Sequence, residues 1–285
     1  MKLLITGAKG QLGQALLHLI AQMPENIEVF PFDFEELDIT NEAAVTEMVS
    51  QLRPDILINC AAHTAVDACE TDAENAYRIN ALGPKYLAKA CAAIDAAMVQ
   101  VSTDYVFDGT KTTPYVESDP TNPQSVYGST KLAGEEEASK YLKRLYIVRT
   151  AWLYGEGHNF VRTMLRLAGE GKALRVVNDQ FGTPTSHLEL ARMILFLIKT
   201  ENYGIYHATC EGSTNWYAFA KEIFALTNTT VDLTPVTSDE FKAAAKRPAY
   251  SVLENHKLNT ETDYRMANWH DALVEYLKGH DLLAV

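Results

Sequence analysis

Tyr127 and Lys131 stand four residues apart in Tyr127-Gly128-Ser129-Thr130-Lys131, and Ser102-Thr103-Asp104 lies upstream. On a helix, residues i and i+4 share a face. A phenol beside an ammonium is a proton donor whose pKa is drawn downward. A hydroxyl at a strand end, Thr103, completes a group able to protonate a carbonyl oxygen. Such a pair also arises by chance in a chain of this size. It gains meaning only beside a group that delivers hydride.

The N-terminal segment predicts where such a group binds. Lys2-Leu3-Leu4-Ile5-Thr6 reads as a buried parallel strand. It runs into Gly7-Ala8-Lys9-Gly10-Gln11-Leu12-Gly13, and Leu12, Ala15, Leu16, Leu19 and Ile20 then repeat at helical spacing. Strand, glycine turn and helix is the order of a dinucleotide site, although the spacing is G-x-x-G-x-x-G. Gly7, Gly10 and Gly13 allow the tight turn, close backbone approach to a pyrophosphate, and close packing of helix on strand. The helix N-terminus at Gln11 and Leu12 offers free N–H groups and a partial positive charge. A second strand, Ile27 to Phe32, ends in Asp33, 20 residues after Gly13 and placed to bond a ribose hydroxyl pair. No Lys or Arg occurs from Phe34 to Asp38, so a 2′-phosphate would meet negative charge. This predicts NADH, with NADPH still possible through Lys9.

These groups need elements to hold them. Helix 41–52 is capped by Thr40 or Asn41 and broken at Arg53-Pro54; strand 55–59 leads into Cys60-Ala61-Ala62-His63-Thr64. A helical region over about 72–93 bends near Gly83-Pro84. Strand 98–102 ends at Thr103, a loop covers 108–125, helix 126–142 carries Tyr127 and Lys131, and strand 146–150 follows. Alternation of this kind predicts an α/β fold with a doubly wound parallel sheet (Rossmann) and a smaller, interleaved C-terminal α/β lobe. Residues 1–150 are assigned to the dinucleotide half, with further elements from about 172–200, and 151–285 mainly to the substrate lobe. The lobe reads as helix 159–170, strand 174–177, helix 186–200, strand 205–208, helix 216–227 and helix 269–279. Ligands bind at the carboxyl ends of such strands. The glycine loop, Asp33, Ala62 to Thr64 and Thr103 all fall there. His63 fits either an ordinary loop histidine or a group beside the cofactor.

Composition sets limits. The chain has 285 residues, 47% hydrophobic and 22% charged, enough for a large core. A net charge of −12 argues against nucleic acid or an anionic membrane as partner. The four cysteines form no C-x-x-C pair or zinc spacing, and no ligand cluster calls for a metal. With no signal peptide or spanning segment, a cytoplasmic protein with reduced thiols is expected.

Thr6-Gly7-x-x-Gly10-x-x-Gly13, Ser102-Thr103 and Tyr127-x-x-x-Lys131 resemble the extended short-chain dehydrogenase/reductase family, whose members act largely on nucleotide sugars. Longer strings are similar to its dTDP-4-dehydrorhamnose reductase branch: Ala61 to Asp67, Ser102 to Gly109, Arg149 to Gly155, Asn159 to Met164, Asp179 to Thr185, and Arg247-Pro248. The resemblance implies NAD(P)H-dependent reduction of the 4-keto group of dTDP-4-dehydro-β-L-rhamnose, giving dTDP-β-L-rhamnose. By that match Tyr127 donates the proton, Lys131 is its electrostatic partner and Thr103 tunes it. Gly10 to Leu12, Asp33, Asp38, Ile39, Ala62 to Thr64, Tyr127 and Lys131 line the cofactor. Thr103, Asp104 and Trp152 touch the sugar, and Asn159, Arg247 and the 179–185 loop belong to the substrate side. Some members are dimers bridged by magnesium on glutamates. Here Gln14-Ala15-Leu16 offers no carboxylate, so a monomer is expected. Asp104 is followed by Tyr105, which lacks the second carboxylate of the related dehydratases. A non-catalytic, cofactor-binding regulatory subunit of the methionine adenosyltransferase type, or a reductase of another nucleotide keto sugar, are the alternatives.

Overall fold

Alternate residues of the first strand, β1 (Lys2–Thr6), face opposite layers, and both layers are apolar. The computed structural model describes residues 1–241 and 243–284. After β1 come α1 (Gln11–Ile20), β2 (Glu28–Phe32), α2 (Glu42–Leu52), β3 (Ile56–Asn59) and the short α3 (Val66–Cys69). Asn41 caps α2 by accepting from Ala44 N, and Arg53 closes it in a left-handed conformation before Pro54. The bend expected near Gly83-Pro84 is a π turn at Arg78–Leu82, between α4 (Ala73–Tyr77) and α5 (Gly83–Ala93). Then follow β4 (Ala97–Thr103), a 3₁₀ turn at Asp104–Val106, α6 (Val126–Tyr141) and β5 (Leu145–Thr150).

The second half holds β6 (Leu153–Tyr154), α7 (Phe160–Gly169), β7 (Leu174–Val177), β8 (Phe181–Gly182), β9 (Thr185–Ser186), α8 (His187–Leu197) and β10 (Gly204–His207). It closes with β11 (Thr214–Asn215), α9 (Trp216–Leu226), β12 (Leu233–Val236), α10 (Ser238–Phe241), α11 (His256–Glu261) and α12 (Trp269–Gly279). The main sheet is parallel and six-stranded, in the order β10-β5-β4-β3-β1-β2. The winding reverses between β1 and β3, which makes their carboxyl ends the binding crevice.

Leu3, Ile5, Ile56 and Ile58 pack with α1 and α8 on one face; Leu4, Leu57 and Met98 pack with α2 and α5 on the other. A separate core of Tyr154, Val161, Phe219, Ile223, Leu273 and Leu277 holds the small lobe. Strand β7 pairs with β12 in that lobe, whereas α8 packs on α1 and β10 joins the main sheet beside β5. The short strands β6, β8, β9 and β11 carry too few residues for a period to show. No helix among the described residues is long and apolar enough to cross a membrane.

Candidate active site

One elongated cavity of about 1200 Å³ runs along the carboxyl ends of the main sheet and up to the small lobe. Its wall includes Gly7, Gly10, Gln11, Leu12, Gly13, Asp33, Asp38, Ile39, Ala62, Thr64, Thr103, Asp104, Tyr127, Lys131, Trp152 and Asn159, so the structure brings these sequence-selected residues together. His63 and Arg247 are not on that wall.

The glycine loop is shaped by contact as much as by conformation. Gly7 has φ +66°, and a Cβ there would stand 2.7 Å from Ala61 N, so the loop lies directly on the end of β3. A Cβ on Gly13 would stand 2.5 Å from Gly7 O, which is why helix and loop can close. Gly10 is the N-cap of α1, and the first-turn N–H groups beyond it point outward without helical acceptors. Gln11 Oε1 is buried there without a hydrogen-bond partner. These donors fit the pyrophosphate of a dinucleotide.

Asp33 accepts from Lys9 N at 2.8 Å and from Phe34 N at 2.8 Å, which fixes its carboxylate at the end of β2. Lys9 is paired with Glu35 and stands 3.6 Å from Glu36. Arg78 also lines this end and donates to Thr40 Oγ1 at 3.1 Å. It is a second cation at the adenosine end that sequence reasoning missed. It sits on the π turn, whose register no helical periodicity shows.

The other end is buried and tightly tied. Thr6 Oγ1 donates to Asn59 Oδ1 at 2.6 Å, and Asn59 Nδ2 donates to Gln100 Oε1 at 2.8 Å, tying the ends of β1 and β3 to the middle of β4. Asn80 accepts from His63 N at 2.8 Å, donates to His63 O at 3.1 Å, and donates to Thr130 Oγ1 at 3.1 Å. Neither asparagine was singled out by sequence. The clamp turns the His63 ring towards Cys69, Nδ1 to Sγ 3.4 Å, away from the cavity. His63 is thus a loop residue whose backbone Asn80 holds, between two residues, Ala62 and Thr64, that line the cavity.

Ser125 caps α6 by accepting from Gly128 N at 3.1 Å, and a Cβ on Gly128 would stand 2.2 Å from Tyr105 O. The absent side chain lets the first turn of α6 press against the strand-end turn, so Tyr127 and Lys131 come to Thr103. Thr103 Oγ1 donates to Asp104 Oδ1 at 2.9 Å and accepts from Tyr105 N at 3.2 Å. Tyr105, also missed, meets Tyr127 edge to face at 5.4 Å. Lys131 is only 4% exposed and donates to Val101 O at 2.6 Å.

Burial governs the ionisation here. It raises the Tyr127 phenol well above its usual pKa, while the Thr103 hydroxyl pulls the other way. It lowers Lys131 to about 8, opposed by the charges of Glu135 and Cys60. It raises Asp104 to about 6, opposed by the Ser251 and Thr103 hydroxyls. These side chains therefore raise the phenol rather than depress it: desolvation of the phenolate outweighs the Thr103 hydrogen bond. A neutral phenol is the state that gives a proton to a developing alkoxide.

Behind the site, Arg149 donates to Glu135 through Nε at 3.0 Å and Nη2 at 2.7 Å, with Ser102 Oγ as a further donor at 2.5 Å. This buried pair joins β4, α6 and β5 one residue or one turn away from Thr103, Thr150 and Lys131. On the lobe side, Trp152 lies parallel to Trp216. Asn159 caps α7 and donates to Gly155 O at 2.6 Å, so its amide is already engaged. Arg247 grips Asp67 with two bonds, at 3.1 and 2.7 Å, which ties the 245–248 segment to α3. The 179–185 loop meets the site through Gly182, which abuts Trp152, and through Thr185, whose N–H donates to Trp152 O at 3.2 Å.

Residues 1–281 match the RmlD substrate binding domain family model. The chain belongs to that family. It is similar to the spore coat polysaccharide biosynthesis protein SpsK of Bacillus subtilis, at 41% identity over 97% of both chains. It is also similar to a dTDP-4-dehydrorhamnose reductase of Aggregatibacter actinomycetemcomitans, at 40% identity over 95% of this chain and 97% of that one. A probable dTDP-4,6-dihydroxy-2-methyloxan-3-one 4-ketoreductase of Streptomyces antibioticus matches at 41% over 96% and 94%. Among solved structures, a dTDP-4-dehydrorhamnose reductase from Clostridium acetobutylicum has a TM-score of 0.96 at 50% identity, covering 99% of this chain and 100% of that one. One from Bacillus anthracis, in complex with NADP, has a TM-score of 0.95 at 42% identity, covering 98% and 99%. As a family member the chain is an NAD(P)-dependent oxidoreductase of the extended short-chain type.

Proposed function

We propose that the protein reduces the 4-keto group of dTDP-4-dehydro-β-L-rhamnose to give dTDP-β-L-rhamnose. The observation that carries this reading is the meeting of Thr103, Tyr127 and Lys131 in the same cavity as the glycine loop and Trp152. The bound nicotinamide supplies hydride to the carbonyl carbon. Tyr127, held as a neutral phenol by burial, gives its proton to the carbonyl oxygen. Thr103 orients the phenol, and its own proton is fixed by Asp104. Lys131, as a cation, compensates the charge left on Tyr127 and faces the cofactor ribose. Asp33 takes the adenosine ribose hydroxyls, and the N–H groups after Gly10 take the pyrophosphate.

The preference for NADH over NADPH rests on Asp33, Glu35 and Glu36. Lys9 and Arg78 at the same end weaken that preference without removing it. An intact Thr103-Tyr127-Lys131 set favours an enzyme over a regulatory cofactor-binding subunit. A second reading, reduction of another dTDP 4-keto sugar, is supported by the similar identity to the Streptomyces antibioticus protein. Oxidation of NADH and NADPH, followed with dTDP-4-dehydrorhamnose and with other dTDP 4-keto sugars, separates the two. Steady turnover highest with the rhamnose precursor supports the proposal; a higher kcat/KM with another sugar replaces it.

A further inference from the structure

Trp152 has φ +48°, a backbone conformation that a bulky residue adopts only when its surroundings over-determine it. Two neighbours do so. Trp216, the first residue of α9, lies over the indole with ring centroids 3.6 Å apart and planes 10° from parallel. Gly182 of β8 approaches so closely that a Cβ there would stand 2.5 Å from Trp152 Cε2 and 2.8 Å from its Nε1. These two neighbours belong to one unit. Strand β8 pairs antiparallel with β11 in the register Thr214 to Gly182, and Asn215 of β11 caps α9 by accepting from Ala218 N at 2.8 Å. Phe160 of α7 backs Trp216 at 4.6 Å. Trp152 itself follows β5 of the main sheet, and both tryptophans form cavity wall. The stack is therefore where the small lobe grips a side chain that issues from the catalytic edge of the sheet.

We propose that Gly182 and Trp216 are positioning residues: they clamp the Trp152 indole and so fix where the hexose sits against Thr103 and Tyr127. This rests on the function proposed above. An indole offers a rigid apolar face for the C–H surface of a sugar, and a rigid wall holds the keto group at reacting distance. Neither residue needs to touch the nucleotide cofactor.

The test compares Gly182→Ala, Trp216→Ala and Trp216→Phe with the wild type. A methyl at Gly182 pushes the ring aside, Trp216→Ala removes its support, and Trp216→Phe keeps an aromatic face. Misplacement of the reacting group predicts a roughly 10-fold to 100-fold loss of kcat/KM for the keto sugar in the first two, with kcat falling as well as KM rising. NAD(P)H affinity should stay within about twofold, which is less than 0.5 kcal/mol, and Trp216→Phe should recover most of the loss. Circular dichroism reports the stacked indole pair independently of activity. Loss of the indole-pair signal with unchanged kcat/KM overturns the clamp, as does a parallel loss of cofactor affinity. If the wild type turned over no keto sugar, the functional reading would fail instead. The clamp would then be judged by calorimetry with dTDP-rhamnose: weaker binding to Gly182→Ala supports it, and equal binding overturns it.

Discussion

The two ends of the cavity are built on opposite principles. At the catalytic end, Thr103, Asp104 and Lys131 are buried, and their ionisation follows from desolvation. At the adenosine end, Phe34 is 72% exposed, and Lys9 and Glu35 meet in water. Charge in a dry site is strong and costly to disturb; exposed pairs are worth at most about 1 kcal/mol. On the proposed function, the chemistry is assigned to groups that are hard to replace, and coenzyme choice to groups that are easy to change.

That contrast can be broken most severely behind the catalytic end. Arg149→Met leaves Glu135 charged and buried, and is expected to cost about 3–5 kcal/mol in urea unfolding. Combining it with Glu135→Leu should restore much of the loss, because an apolar pair leaves no orphaned charge. Wild-type stability in Arg149→Met would show that the buried end does not rest on this pair. Next comes the loop that joins the two ends. Gly13→Ala places a methyl 2.5 Å from Gly7 O and is expected to weaken NAD(P)H at least about tenfold, equal to about 1.4 kcal/mol, by calorimetry.

A pH profile sharpens the comparison. Lys131 is charged below about 8 and neutral above it, so kcat/KM should fall as pH rises through about 8. Tyr127, raised by burial, stays a phenol across that range. Lys131→Met should abolish the limb; a limb that persists in the variant belongs to another group. The folded pKa of Lys131 lies below its ordinary 10.5, so the unfolded chain holds more protons between about 8 and 10.5. This group's contribution to stability therefore rises with pH across that window. The smallest effect is expected at the open end. Asp33→Ser should shift the NADH to NADPH ratio of kcat/KM by only a few-fold, corresponding to about 1 kcal/mol. A hundredfold shift would mean that this end is as demanding as the other.

How much was legible in the sequence follows the same division. The glycine loop, the Tyr127-Lys131 spacing and the alternation of strand and helix were readable because each is a local pattern of short period. The sheet order, with β10 closing beside β5, agrees with the doubly wound reading. What stayed hidden is long-range. Asn59 and Asn80 act through partners 41 to 53 and 17 to 50 residues away. Trp216 acquires its role only by stacking on Trp152. His63 and Arg247 were placed by neighbouring motifs, yet each is captured by a residue that no spacing announces, Asn80 and Asp67. The direction of the Tyr127 shift was hidden for a related reason: proximity to a cation is visible in sequence and depth of burial is not.

The central claim is that a buried neutral phenol at Tyr127 protonates the ketone of a dTDP-4-keto sugar. Single-turnover oxidation of NADH and NADPH with dTDP-4-dehydrorhamnose, in wild type and Tyr127→Phe, tests it most directly. The account predicts turnover in the wild type and a loss of roughly 10²–10⁴-fold in rate for the variant, with coenzyme affinity unchanged. A variant within a few-fold of wild type, or a wild type that binds coenzyme and reduces no such sugar, would contradict it.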